Sequence, residues 1–422
     1  MLTPPVTPPV ARTEAVATAP VPFAMGRVEF IGMMAMVQAL QALSIDVMLP
    51  ALGVISRELA IPDANSRQLI VSLYLLCSGL GALFPGALAD RFGRRRVLLT
   101  GLVAYAVLAC VCAAAPSFQL LLAARALQGL LTAPLLVVPM TIVRDRFSGD
   151  RMASLQSMVA VVFMAVPMVA PMLGQTIMLF AGWRWIFGAT ALAACAVTAW
   201  VALRLPETLR PEYRQEIHMS AILGNVRLAL GTREAIGYIL GAALIHGTLF
   251  AYVSSAQQLI AEHFGAGLRF PMIFATMALI MAVANFANSR IVHAFGARRV
   301  SQMAVLLFTL VNAVHFVFVI RGEDLWLFVT FMGMAIALVS FINANFQSIA
   351  LQPFAHMAGS AASVISFLRS ANGGLLGVLV GQAYDGTARP LIGFMIFSGA
   401  GAFICALYAD HWRPFRRLHY PD

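Results

Sequence analysis

The chain alternates long apolar runs with short polar breaks. Twelve runs can be laid down, near 29–56, 65–89, 96–115, 118–143, 151–180, 183–205, 233–262, 269–293, 298–320, 324–350, 359–385 and 389–410. Within each, apolar residues are continuous rather than alternating, which is not the pattern of a transmembrane strand. Each run reaches the roughly 20 residues that a helix needs to cross a bilayer, and the longer ones allow for tilt. The break at 206–232 is long and rich in Arg and Glu, and it splits the runs into two sets of six. The pattern predicts an all-α polytopic membrane protein with 12 transmembrane helices in two six-helix bundles. The N-terminal bundle is expected at 26–205, a cytoplasmic linker at 206–232 and the C-terminal bundle at 233–412. Residues 1–25, with six prolines and little else distinctive, read as a disordered cytoplasmic tail, and 413–422 as a second cytoplasmic tail.

Composition agrees. Only 11% of residues are charged and 60% are hydrophobic, against about 25% charged in a soluble domain. The net charge of +10 suggests nucleic-acid binding until the positions are read. All 28 basic residues are Arg. With the N-terminus inside, and with arginines at run ends counted to the adjoining side, 20 fall on the cytoplasmic side, six on the external side and two deep within runs. That asymmetry is the positive-inside rule, and it puts both termini in the cytoplasm. The partner is then the lipid bilayer, not nucleic acid. The N-terminal tail lacks the basic start and apolar core of a cleavable signal, so the first run reads as an uncleaved insertion signal. The five cysteines all lie within runs without metal-ligand spacing. They read as packing residues, with no metal and no cofactor implied.

A charge inside a span costs roughly 2.5–3.5 kcal/mol on insertion scales, so embedded charges are functional candidates. Three stand out: Asp46, Arg125 and Arg369. Asp46 and Arg125 are expected at one depth, a few residues outward of their span midpoints, where they can pair. The pair is either a proton-coupling device or a static bridge between spans 1 and 4. Pro50 removes an amide and crowds the Asp46 carbonyl, so a bend is expected there. Gln38, Gln41 and Asp46 fall within about 140° of one helical face. Gln128 follows Arg125 on a face of span 4. Arg369 either faces a cavity or bonds to carbonyls; facing a cavity, it discourages cationic substrates. His246 and Gln257 share a face of span 7, and Asn343, Gln347 and Asn372 add neutral polar groups in spans 10 and 11. These seven polar residues with Gln38 and Gln41 are the candidate substrate cavity, although amides also bond between helices.

Residues 86–96 read Gly-Ala-Leu-Ala-Asp-Arg-Phe-Gly-Arg-Arg-Arg, a dense basic cluster between two runs. A weaker copy, Ala294-Phe-Gly-Ala-Arg-Arg-Val300, follows 203 residues after Arg91-Phe-Gly-Arg-Arg-Arg-Val97, with His293 where Asp90 stood. A six-plus-six repeat puts a substrate cavity between the halves.

These segments resemble the major facilitator superfamily. The 86–96 loop is similar to its helix 2–3 motif, and Leu121-Leu-Ala-Ala-Arg125-Ala-Leu-Gln128-Gly129 to its helix 4 motif. Asp46-Val-Met-Leu-Pro50 and Pro167-Met-Val-Ala-Pro171-Met-Leu-Gly174 resemble elements of twelve-span drug:proton antiporters of the bicyclomycin- and chloramphenicol-resistance type. Two glycines of the usual helix 5 pattern are Ala170 and Gln175 here, and a second helix 1 acid of some relatives is Gln38. The resemblance implies the fold of that family and helix bends at Pro50, Pro167, Pro171 and Gly174. It implies a conformational gate at Gly86, Asp90, Arg91, Gly93 and Arg94, with Asp90 near the start of span 11 at Gly359/Ser360.

The reading is a proton-coupled efflux transporter that exports small hydrophobic or amphiphilic compounds, antibiotics among them, by alternating access. Asp46 and Arg125 carry the coupling, and the proton gradient supplies the energy. The location is a bacterial cytoplasmic (inner) membrane, and the chain is read as a monomer. The rival is a proton symporter or facilitator for a small anionic or neutral metabolite. No metal cluster or nucleophile–base spacing supports an enzyme.

Overall fold

The structure, a computed structural model, describes residues 25–415 except 62, 64, 148, 210, 211, 213, 215–223, 225 and 226. The two expected tails, but for Met25 and residues 413–415, and much of the 206–232 linker lie outside the described residues.

Among the described residues, and with the bent pair Ser66–Gly81 and Pro85–Phe92 taken as one span, twelve membrane-length elements follow one another: α1 (Arg27–Glu58), α2 (Ser66–Gly81 with Pro85–Phe92), α3 (Arg94–Ala114), α4 (Phe118–Arg146), α5 (Gly149–Ala181), α6 (Arg184–Arg204), α7 (Arg233–His263), α8 (Gly267–Phe295), α9 (Ala297–Arg321), α10 (Leu325–Phe354), α11 (Ala358–Gln382) and α12 (Arg389–Ala409). No strand occurs among the described residues. Large apolar side chains such as Val107, Leu192, Leu310 and Phe397 are exposed on the flanks. In water such a surface would be an association site; here it is the belt that meets lipid tails. This is a multi-pass membrane protein.

Local chemistry sets the breaks. The α-helical part of α1 ends at Asp46, and Pro50 opens a 3₁₀ turn over Leu49–Ala51 before helix resumes. Proline at that point denies the helix an amide donor. Helix α2 bends by 49° before Pro85. By contrast Pro167 and Pro171 sit inside an unbroken α5. Ser117 and Asp324 cap α4 and α10 through side-chain oxygens on the Leu120 and Leu327 amides.

The repeat is visible as structure. Gly93 and Gly296, 203 residues apart, both turn with positive φ, at 100° and 83°. The Glu207 carboxylate accepts from the Arg94 amide at 2.9 Å and the Arg95 amide at 3.3 Å, capping the start of α3. A carboxylate there offsets the helix dipole. Its counterpart, Asp410, pairs with Arg298 at 3.1 Å and accepts from Gln302 and Tyr238, each at 2.6 Å. Each bundle therefore ties the end of its last helix to the start of its third.

Between the bundles, α2 packs on α11 and α5 on α8. The α2–α11 seam is close because it is built on glycine. A methyl group at Gly79 would sit 2.6 Å from the Ala371 nitrogen, and one at Gly374 would sit 2.6 Å from Leu76 Cα. Small residues let backbones approach where lipid supplies no hydrophobic drive.

Candidate functional site

The site begins with a fully buried cation. Arg125 on α4 donates from Nη1 to the Ser44 hydroxyl at 2.7 Å and to Gln128 Oε1 at 2.8 Å. Nη2 donates to the Ser44 carbonyl at 2.9 Å, and Nε to the Ile70 carbonyl at 3.1 Å. Its guanidinium lies 4.1 Å from the Tyr74 ring centroid. An aromatic face attracts a desolvated cation. The network continues toward the arginine-rich face: Tyr74 donates to Gln41, and Gln41 Nε2 donates to the Thr132 carbonyl at 2.7 Å. Arg125 thus joins α1, α2 and α4 through oxygens that carry no net charge.

Asp46 is two residues beyond Ser44, at the helix break, and is only 6% exposed. It makes no hydrogen bond or ion pair among the described residues, Arg125 included. Instead it lines a cavity of about 450 Å³ between the bundles. Gln41, Phe163, His246, Phe250 and Arg369 line the same space. The walls are mostly apolar with a few polar groups, as in small-molecule sites. Arg369 donates to Gln347 Oε1 at 2.9 Å, while its Nε has no protein partner. The His246 ring packs on Phe250 at 4.5 Å, with Nδ1 unpartnered.

One end of the cavity is shut. Ser72 meets Ser254 at 3.0 Å across the bundles, and beyond them Gln68 meets Gln258. Further out Arg67 pairs with Glu262 at 2.5 Å, and Asn65 donates to the Tyr384 carbonyl at 2.7 Å. Gly53 of α1 backs this closure, with Gln257 and Glu262 against it. All of these contacts lie on the face opposite residues 86–96. On the arginine-rich face, the pairs Arg94–Asp145 at 2.9 Å and Arg298–Asp410 each stay within one bundle.

A family model described as Major Facilitator Superfamily matches residues 34–378. The chain belongs to the Major Facilitator Superfamily. It is 29% identical over 404 residues to a bicyclomycin resistance protein homolog of Haemophilus influenzae, covering 92% of this chain and 97% of that one. It is 30% identical to a chloramphenicol resistance protein of Pseudomonas aeruginosa, over 81% of each chain. The crystal structure of the human organic anion transporter MFSD10 shares the fold, with a TM-score of 0.63 at 21% identity, over 92% of this chain and 98% of that chain.

The sequence candidates divide. Gln41, Asp46, His246 and Arg369 come together on the cavity wall. Gln128 does not: it is fully buried against Arg125. Gln257 belongs to the closure beside Glu262, 3.5 Å away. Gln347 supports Arg369 from behind, and Asn372 bonds back to the Leu368 carbonyl. Gln38 and Asn343 are not among the residues that line the cavity. The anticipated Asp46–Arg125 pair is not formed, because Ser44 and Ile70 offer nearer oxygens to the guanidinium. Asp90 pairs with Arg94 of its own bundle at 2.6 Å, one turn away; the side chains at Gly359/Ser360 lie outside the described residues. Sequence reasoning missed Tyr74, although a tyrosine deep in an apolar run signals a buried hydroxyl with a partner. It also missed Arg67 and Glu262, whose pairing joins segments 195 residues apart.

Proposed function

We propose that the chain is a proton-coupled exporter of small hydrophobic or amphiphilic compounds, drugs among them, in a bacterial cytoplasmic membrane. One observation carries this reading: Asp46 is a carboxylate without a partner among the described residues, on the wall of a largely apolar cavity between two bundles. A buried acid with no ion pair is expensive in a bilayer and is retained where its proton is exchanged. The names of the bacterial relatives, bicyclomycin and chloramphenicol resistance proteins, support the same class of cargo.

With the arginine-rich face in the cytoplasm, both termini inside, the described state is closed to the exterior. Ionised Asp46 accompanies substrate loading from inside. Separation of Arg67 from Glu262 and of Gln68 from Gln258 then opens the outer end. Asp46 takes a proton there as substrate leaves, and releases it inside after the bundles rock back. One proton entering down a unit of pH gradient supplies about 1.4 kcal/mol, and 100 mV adds about 2.3 kcal/mol. Together they sustain a several-hundredfold substrate gradient with no cofactor. The protein acts as a monomer, because each bundle pair encloses its own cavity.

Arg369 on the same wall favours a second reading, a proton symporter or facilitator for an anionic or neutral metabolite. Transport direction separates the two. In inverted vesicles acidified inside, the exporter accumulates substrate and collapses the pH gradient when substrate is added. Efflux of preloaded substrate together with protons would establish the symporter instead.

A further inference from the structure

Two grooves on the membrane-facing flanks lie outside the transport site. On the arginine-rich side, α2, α3 and α4 enclose one of about 750 Å³. The helices α8, α9 and α10 enclose another of about 560 Å³. The grooves are copies. Phe92, Arg96 and Val97 line the first; Phe295, Arg299 and Val300, each 203 residues later, line the second. Further along, Thr100 and Ala104 are matched by Met303 and Leu307 at the same interval. Both walls are apolar except at one end, where each presents a single arginine. Thr100 does not alter this, since its hydroxyl is turned onto the Val97 carbonyl at 2.9 Å.

The charge at that end is unspent. Arg96 is exposed and makes no hydrogen bond or ion pair among the described residues. Arg91 lies over the Phe92 ring at 5.3 Å, a contact that leaves its charge uncompensated. The nearby acids are committed elsewhere, Asp90 to Arg94 and Glu207 to the first amides of α3. The result is an apolar trough in the plane of the lipid tails, ending in a free guanidinium at headgroup depth.

We propose that the two grooves are binding sites for acidic phospholipid, with an acyl chain in the trough and the phosphate on Arg96 or Arg299. Guanidinium matches phosphate geometry and is weakly hydrated. Basic pockets between transmembrane helices select anionic headgroups for this reason. A choline lipid carries its own cation beside the phosphate and sets it against Arg91. The two sites are unequal. Arg299 Nε already donates to the Phe415 carbonyl at 2.8 Å, and Phe415 lines the second groove. The α2–α4 groove, with a free arginine and the larger volume, is the tighter site. This assignment does not depend on the direction of transport or on proton coupling.

Native mass spectrometry of the full-length chain tests it, with phosphatidylglycerol and phosphatidylcholine of equal chain length as probes. The wild type is expected to retain two phosphatidylglycerol molecules, the first at about fivefold lower concentration than phosphatidylcholine. Arg96→Gln removes the tighter event and Arg299→Gln the weaker one. Thr100→Trp, which fills the first trough without changing charge, removes the same event as Arg96→Gln. Arg290→Gln, an exposed arginine outside both grooves, leaves both events, and unchanged melting curves show that the variants are folded. Equal retention of the two lipids by the wild type overturns the proposal, as does undiminished retention by Arg96→Gln. Displacement of the lipid by glycerol phosphate alone overturns the role of the trough.

Discussion

Arg125 grips Ser44 at two points, the hydroxyl at 2.7 Å and the carbonyl at 2.9 Å, and pairs with no carboxylate among the described residues. Two residues later the α-helix of α1 stops at Asp46. The cation therefore fixes the backbone on which the acid is mounted, without neutralising the acid. A direct ion pair would have to be broken in every transport cycle, at several kcal/mol in a low-dielectric site. Under the proposed coupling role, this arrangement separates the two tasks: Arg125 positions α1, and Asp46 is left available to exchange a proton.

Arg125→Lys is expected to destabilise the N-terminal bundle. A lysine ammonium is a point charge and cannot reach Ile70, Ser44 and Gln128 together. Losing two of these charged hydrogen bonds costs about 3 kcal/mol or more. Thermal unfolding in detergent should fall by several degrees, and transport should drop by one factor at every pH. A drop confined to one arm of the pH profile would place Arg125 in the proton exchange itself.

Asp46→Asn should behave differently. The side chain has no bonding partner among the described residues to lose, so folding and expression are expected to stay at wild-type levels. Removing a buried charge is neutral or stabilising. Accumulation driven by a pH gradient should vanish in inverted vesicles, while downhill substrate exchange continues. Full gradient-driven accumulation by this variant would refute the coupling role.

Much of this was legible in the chain and some was not, for physical reasons. The twelve spans follow from the length of apolar runs, because a bilayer imposes that length. The repeat at Gly93 and Gly296 was legible because both turns need a residue free to adopt positive φ. Asp46, Arg125 and Arg369 were found by their cost in lipid. The partners of the two arginines were not, because a cation in an apolar run is satisfied as well by carbonyls and hydroxyls as by an acid. Ser44 carries no sequence signal for that role. Gln128 and Gln257 were grouped with the cavity by helical face, and Gln347 by its place in a span; neither separates a cavity from the seam beside it. The closure at Arg67 and Glu262 depends on which helix ends meet, information that no local pattern contains.

That closure makes its own prediction. Arg67 is 6% exposed at its side chain, and Glu262 is its ion-pair partner across the bundles. Glu262→Gln removes the charge but leaves the shape, so the outer end should open more often. A Ser72→Cys reporter, in a chain whose five native cysteines are serine, should be labelled severalfold faster by a membrane-impermeant thiol reagent added outside. Double substitution with Arg67→Gln should add little, since the two residues act as a pair. Independent, additive increases would mean that each residue holds the end shut through other contacts.

Gly174 tests the packing of α5 on the break in α1. A methyl group there would lie 1.7 Å from the Val47 carbonyl oxygen, which is backbone and cannot rotate away. Gly174→Ala must therefore push α5 off α1 beside Asp46. Overpacking of this kind costs about 1–3 kcal/mol. Gly26→Ala meets nothing within 4 Å and serves as the contrasting substitution. The melting temperature should fall for Gly174→Ala and hold for Gly26→Ala. Transport should fall with it, because the displaced carbonyl belongs to the residue after the acid. If Gly174→Ala melts like the wild type and transports normally, α5 does not set the geometry of Asp46, and the Ser44–Arg125 bonds alone do.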